Sequence, residues 1–398
     1  DYSADVAMDT PVVTDIDNDG RQEILLGNTV FNILRSNSGE RAFAFQKKWF
    51  FDESDNNENV FFNSNSGIGF LAAWDFNGDG FKELLFRNTN SELILTEHTG
   101  KVLWRKKLRG ELKGGTIINC TFGNFLTHDR YDIFVNSATT AAYINECMVL
   151  NSSTGEVVWR RNDGHDSGMG PVDGYACVCR LENDGLDDLL FLSGDVFAQI
   201  DGKTGKNLVE MKMISDILGT GWIGSGHFTF IDVDGDGREE IFLSGIWGLN
   251  GGVLKWDGEY WKPVWFDYYG NATPIGTPPR YSHQGIAVID GRVLAAGPRH
   301  DYKYGCVDAA TGENLWIFDI GDCLVGDTCT GDIDGDGYDE FVFGCNDGHV
   351  YSLKHDGRLH FKIFTGSPAG NPVLADVDGD GMLEVLVATL EGNLIIIA

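Results

Sequence analysis

The stretch Thr330–Gly344, TGDIDGDGYDEFVFG, decides how this chain is read. Asp332, Asp334 and Asp336 fall at alternate positions, Gly337 permits a tight reversal, and Glu340 opens an apolar run. Three short carboxylates folded round one point and completed by a longer one make a hard oxygen cage of the size calcium prefers. Packing that many anions together without a cation is costly. The flanks are short apolar runs, so the stretch reads as strand, acidic loop, strand.

The same pattern recurs as VVTDIDNDGRQEILLG from Val12, LAAWDFNGDGFKELLF from Leu71, FTFIDVDGDGREEIFLSG from Phe228 and VLADVDGDGMLEVLVA from Val373. Structural calcium is therefore expected at Asp15, Asp17, Asp19 and Glu23; at Asp232, Asp234, Asp236 and Glu240; at Asp332, Asp334, Asp336 and Glu340; and at Asp376, Asp378, Asp380 and Glu384. An altered copy offers Asp75, Asn77, Asp79 and Glu83. Three further copies are degraded: INCTFGNFLTHDRYDIFV from Ile118, CVCRLENDGLDDLLFL from Cys177 and GIAVIDGRVLAAG from Gly285. In the second of these Arg180 takes the first metal position, where an internal salt bridge would replace the ion, so no metal is expected there.

Between these copies runs a second signal, a glycine turn before an alternating strand, as in EHTGKVLWRKK, NSSTGEVVWRR and DAATGENLWIF. Each unit thus reads as four strands, A to D, with the acidic loop joining A to B and the glycine turn joining C to D. Units of this kind are the blades of an all-β propeller. Eight A strands predict eight blades in one domain over residues 1–398, with seven as the alternative if one degraded unit is an insertion. The chain ends on GNLIIIA, which reads as a C strand; a closing D strand would have to come from before Thr10.

Thirty basic residues against sixty acidic ones give a formal charge of −30, which repels a phosphate backbone and argues against nucleic acid. No 18-residue apolar run is present, so no membrane span is expected. No leader segment is legible, and the opening on Asp1 is what a processed form would show. The eight cysteines form no zinc-like pairs and read as buried thiols, with a Cys323–Cys329 disulfide as the alternative.

The units resemble FG-GAP or VCBS-type repeats, and the TGENLW and TGEVVW turns are similar to those of quinoprotein-like propellers. The resemblance covers essentially the whole chain and implies a secreted, periplasmic or cell-surface propeller. It extends to adhesins, lectins and polysaccharide lyases, so it specifies architecture rather than activity.

Function is sought where the composition departs from this acidic background. The D–A connections hold His165, Trp222, His227, Arg280, Tyr281 and His283, and the B–C connections hold Trp247, Arg299, His300, Tyr302 and Tyr304. By connection type these belong on the face opposite the acidic loops. Aromatic rings stack on sugars, and Arg or protonated His neutralises a carboxylate, so the set suits an acidic polysaccharide. The expected reaction is β-elimination from a uronate: His283 or His300 as base, Tyr302 or Tyr304 as acid, His227 beside them, and Arg280 or Arg299 on the carboxylate. This arrangement is similar to that of propeller-fold ulvan, rhamnose-glucuronate and rhamnogalacturonan lyases. A manganese cluster of His227, His283, Gln284 and His300, as in oligogalacturonate lyases, is a lesser alternative. Asp166 and Asp301 keep a glycoside hydrolase open, and a non-catalytic carbohydrate-binding or adhesion propeller needs the same tryptophans and arginines without a poised acid and base.

Overall fold

The computed structural model describes residues 10–35, 43–50, 69–87, 92–107, 116–139, 145–162, 174–181, 184–193, 196–209, 212–220, 227–244, 249–268, 285–299, 303–321 and 325–398. Within them one topology repeats: Val12–Thr14, Glu23–Leu26, Thr29–Arg35 and Phe43–Phe50 pair in chain order as an antiparallel sheet. Equivalent sheets span 69–107, 116–162, 174–213, 227–268, 285–319 and 325–364. The eighth, over 369–397, has three strands and ends on Leu394–Ile397, the C strand read from the sequence. The fold is thus an all-β, eight-bladed propeller, and the seven-blade alternative falls. The residues before Thr10, proposed as a closing strand, lie outside the described residues.

The chain divides into two compact units, one over Val12–Met213 and one containing Ile214–Ala398, each holding four blades. Within each unit, neighbouring sheets bury their B and C strands against one another. Ile16, Leu25 and Val30 of blade one meet Leu84, Phe86 and Ile94 of blade two. Val342 and Val350 of blade seven meet Val385 and Val387 of blade eight. Each such side chain contributes about 1.5–3 kcal/mol on leaving water.

A tryptophan of strand D adds a directional link to the next blade in five of the blades. Trp49, Trp104, Trp159, Trp265 and Trp316 donate their indole N–H to the carbonyls of His98, Ser152, Gly202, Ala309 and His355 at 2.6–2.9 Å. The ring also lies on the neighbour's C–D turn glycine: a Cβ on Gly357 would fall 2.7 Å from Trp316. In each case a β-bulge between C and D skips the residue just before the tryptophan, such as Lys48 or Leu103. Bulges re-aim side chains, and at Trp49 the skipped residue, Lys48, reaches the acidic loop.

The cysteines follow the leading expectation with one correction. Cys147 and Cys306 are buried, and burial pushes the thiols of Cys120, Cys177, Cys306 and Cys329 up to about 12. Cys329 is free, so the Cys323–Cys329 pair is not formed; Cys345 is the disulfide-bonded residue of this region.

Candidate functional site

The first carboxylate of each intact loop folds the loop itself. Asp332 Oδ1 accepts hydrogen bonds from the N–H groups of Gly335 and Asp336, and its Oδ2 from Gly337 at 2.9 Å. Gly335 and Gly337 take the left-handed φ values of +74° and +91° that this reversal requires. Glu340, fully buried at the start of strand B, accepts from Ile333 N at 3.0 Å. The loops beginning at Asp75, Asp232 and Asp376 repeat these bonds.

This leaves Asp334, Asp336 and Glu340 with free oxygens facing a common centre. Lys354 Nζ sits there, 2.8 Å from Asp336 and 3.0 Å from Glu340 and paired with Asp334. In blade five Lys255 does the same to Asp234, Asp236 and Glu240 at 2.6, 2.8 and 3.0 Å. In blade one Lys48 lies 2.5 Å from Asp17 and 2.9 Å from Glu23. Blade two has an amide instead: Asn77 Nδ2 donates to Glu83 Oε1 at 2.9 Å. Burial, reinforced by Asp79 and Asp75, pushes Glu83 up to about 7. In blade eight, oxygens of Asp376, Asp378 and Glu384 lie within 4.8 Å of one another, and burial raises Glu384 above the usual carboxylate range. Carboxylate oxygens thus converge in blades one, five, seven and eight, with an ammonium among them in blades one, five and seven, whereas in blade two the Asn77 amide turns toward Glu83.

The degraded loops carry ion pairs of their own. Arg180 Nε lies 3.0 Å from Asp187 Oδ1, the internal pair expected from the sequence. Arg130 pairs with buried Asp132 at 3.2 Å. In blade six the loop has shrunk to Asp290–Gly291, both at positive φ, a two-residue hairpin turn that needs no ion. Arg292 then pairs with Asp308 at 2.6 Å.

The rim expected to act on a uronate is largely outside the described residues: His165, Trp222, Trp247, Arg280, Tyr281, His283, His300 and Tyr302 all fall there, as do Asp166, Gln284 and Asp301. His227 opens strand A of blade five opposite Ser244, with its side chain also outside them. Tyr304 is a correction. It is fully buried, stacked on Phe343 at 4.1 Å between ring centroids, and its hydroxyl contacts Ala296 O and Thr328 Oγ1. An acid for a polymeric substrate must be reachable, and burial raises the Tyr304 pKa well above its ordinary value. Arg299 folds back on its own blade and donates to Asn314 Oδ1 at 2.9 Å.

One exposed aromatic surface escaped the sequence reading. Trp74, 41% exposed, ends strand A of blade two just before Asp75 and opposite Glu83. It stacks on Phe122 at 6.4 Å and meets Tyr131 edge-on at 5.2 Å, both from blade three. The other intact repeats place Thr14, Ile231, Gly331 and Ala375 at the position of Trp74, so the signal was a lone indole breaking the repeat. Two histidines also have ring partners: His98 stacks on Phe81 at 4.7 Å, and His355 lies 4.7 Å from Tyr338.

Residues 332–387 match the FG-GAP-like repeat family. No curated protein matches the chain. Among solved structures the chain is similar to Saccharomyces cerevisiae Sqt1, at 12% identity and TM-score 0.63, and to BamB from Moraxella catarrhalis, at 16% and 0.58; each alignment covers 98% of both chains. It is also similar to the quinohemoprotein alcohol dehydrogenase ADHIIG from Pseudomonas putida HK5, at 12% identity and TM-score 0.59, covering 96% of this chain and 71% of that one. At these identities the likeness is one of fold. The FG-GAP-like match spans 56 residues of an eight-bladed propeller.

Proposed function

We propose that this chain is a non-catalytic carbohydrate-binding propeller that works outside the cytoplasm. The observation that carries the reading is Trp74, an exposed indole held by Phe122 and Tyr131 as a flat apolar platform for a sugar ring. The disulfide at Cys345 supports an oxidising compartment, hence a secreted, periplasmic or cell-surface location. Calcium is proposed for the loops of blades two and eight, where Asp75, Asn77, Asp79 and Glu83, and Asp376, Asp378, Asp380 and Glu384, would hold it as a structural ion. Among the described residues no helix is long and apolar enough to cross a membrane.

The elimination reading loses Tyr304 to the core, and its remaining acid and base candidates, His283, His300 and Tyr302, lie outside the described residues. An acidic polysaccharide was expected from the opposite rim, where Arg and His would neutralise its carboxylates; at Trp74 the ring partners are Phe122 and Tyr131, and the adjacent Asp75 and Asp79 are assigned to the proposed ion. The proposed ligand at this platform is therefore a neutral sugar ring. A panel of immobilised neutral and acidic glycans tests the reading: at least one neutral member binds, and Trp74→Ala lowers that affinity about tenfold or more, the scale of a lost stacking contact. Absence of binding across the panel, or equal binding by Trp74→Ala, refutes it.

A further inference from the structure

Among the described residues, six of the eight blades put a basic side chain of their own on a carboxylate at or beside the A–B connection: Lys48, Arg130, Arg180, Lys255, Arg292 and Lys354. The placement follows the state of the loop. Lys255 and Lys354 directly follow Leu254 and Leu353, the last core residues of their C strands. Where the acidic loop is degraded, that position holds Asn151, Asp201 or Asp308, and its side chain caps the C–D turn instead. In blade six the polarity is reversed, with the cation on strand B and the carboxylate at the position of Lys354. Blade one lacks a lysine at that position and has Asn32 there, but its bulge delivers Lys48 from strand D to the same carboxylates. Two routes to one ammonium position, and a swapped pair where the loop is lost, mark charge balance from within the blade as the common requirement.

An ammonium paired with two carboxylates in blade one and three in blades five and seven fills the centre that a divalent ion would need. A metal can enter only if the lysine leaves, giving up these charge-assisted contacts. We propose that Lys48, Lys255 and Lys354 are the resident cations of the first, fifth and seventh loops, which therefore hold their shape without calcium and do not take it up. This holds whether or not blades two and eight bind calcium.

The test is bound calcium per chain, measured by elemental analysis after equilibrium dialysis, for the parent, Lys255→Met and Lys354→Met. Each variant gains one ion over the parent. A variant that keeps its circular dichroism spectrum and gains none overturns the proposal. A parent with no calcium and variants with one each upholds the lysine assignment while removing calcium from blades two and eight. Amine acetylation of the parent, read by mass spectrometry, needs no variant to fold: Lys255 and Lys354 label more slowly than Lys101, and calcium leaves their rates unchanged. Faster labelling of either lysine on adding calcium shows the metal displacing it and contradicts the proposal.

Discussion

Tyr304 lies face to face with Phe343, ring centroids 4.1 Å apart and planes inclined by 16°, in the apolar layer between blades six and seven. Its hydroxyl donates to Ala296 O at 3.3 Å and shares a 2.8 Å hydrogen bond with Thr328 Oγ1. Tyr304→Phe keeps the ring and strands these two partners, so it lowers stability by about 1–3 kcal/mol. Urea unfolding monitored by tryptophan fluorescence reads this directly. An unchanged midpoint contradicts the core role and returns Tyr304 to the candidates for chemistry.

The tryptophan links predict a graded response at two glycines of blade seven. Gly357 and Gly366 both take positive φ, +83° and +88°, so alanine costs about 1–2 kcal/mol of backbone strain at either. A methyl group at Gly357 also strikes the Trp316 ring, whereas at Gly366 nothing lies within 4 Å. Gly357→Ala therefore lowers Tm more than Gly366→Ala. Trp316→Phe, which leaves His355 O without its donor, falls on the same side. Equal shifts for the two glycine variants rule out close packing of the indole on the turn.

Glu83 gives a pH signature to blade two. Its folded pKa is raised from 4.5 to about 7, mainly by burial, so the folded state holds the proton more tightly than the unfolded one. Stability from this group is then present below about pH 4.5 and falls as pH rises towards 7. In chelator, Tm measured from pH 5 to pH 8 declines more steeply for the parent than for Glu83→Gln. Identical slopes show that Glu83 is not held in this state. Under the calcium reading, added calcium stabilises the carboxylate and flattens the parent's curve.

The repeat made the fold legible. Alternate aspartates ended by glycine can only be a tight loop between strands, and eight copies implied eight blades. The Arg180 pair was equally readable, because a base at a metal position must find an acid. Lys255 and Lys354 were not, since they stand some twenty residues from their loops and only C-strand register brings them back. Tyr304 misled the reading because its alternation with Tyr302 gives no sign of which ring faces the next blade. Trp74 was hidden in plain view, at a position where the other intact repeats hold Thr, Ile, Gly or Ala.

Carbohydrate binding without elimination is the central claim. The most direct measurement is absorbance at 235 nm, where an unsaturated uronate appears, recorded on mixtures of the protein with each acidic polysaccharide of a panel, with and without calcium, beside binding titrations of the neutral glycans. Saturable neutral-glycan binding that depends on Trp74, with no growth in absorbance, is the predicted result. Absorbance that grows with time and protein concentration, and disappears in His283→Ala, contradicts it.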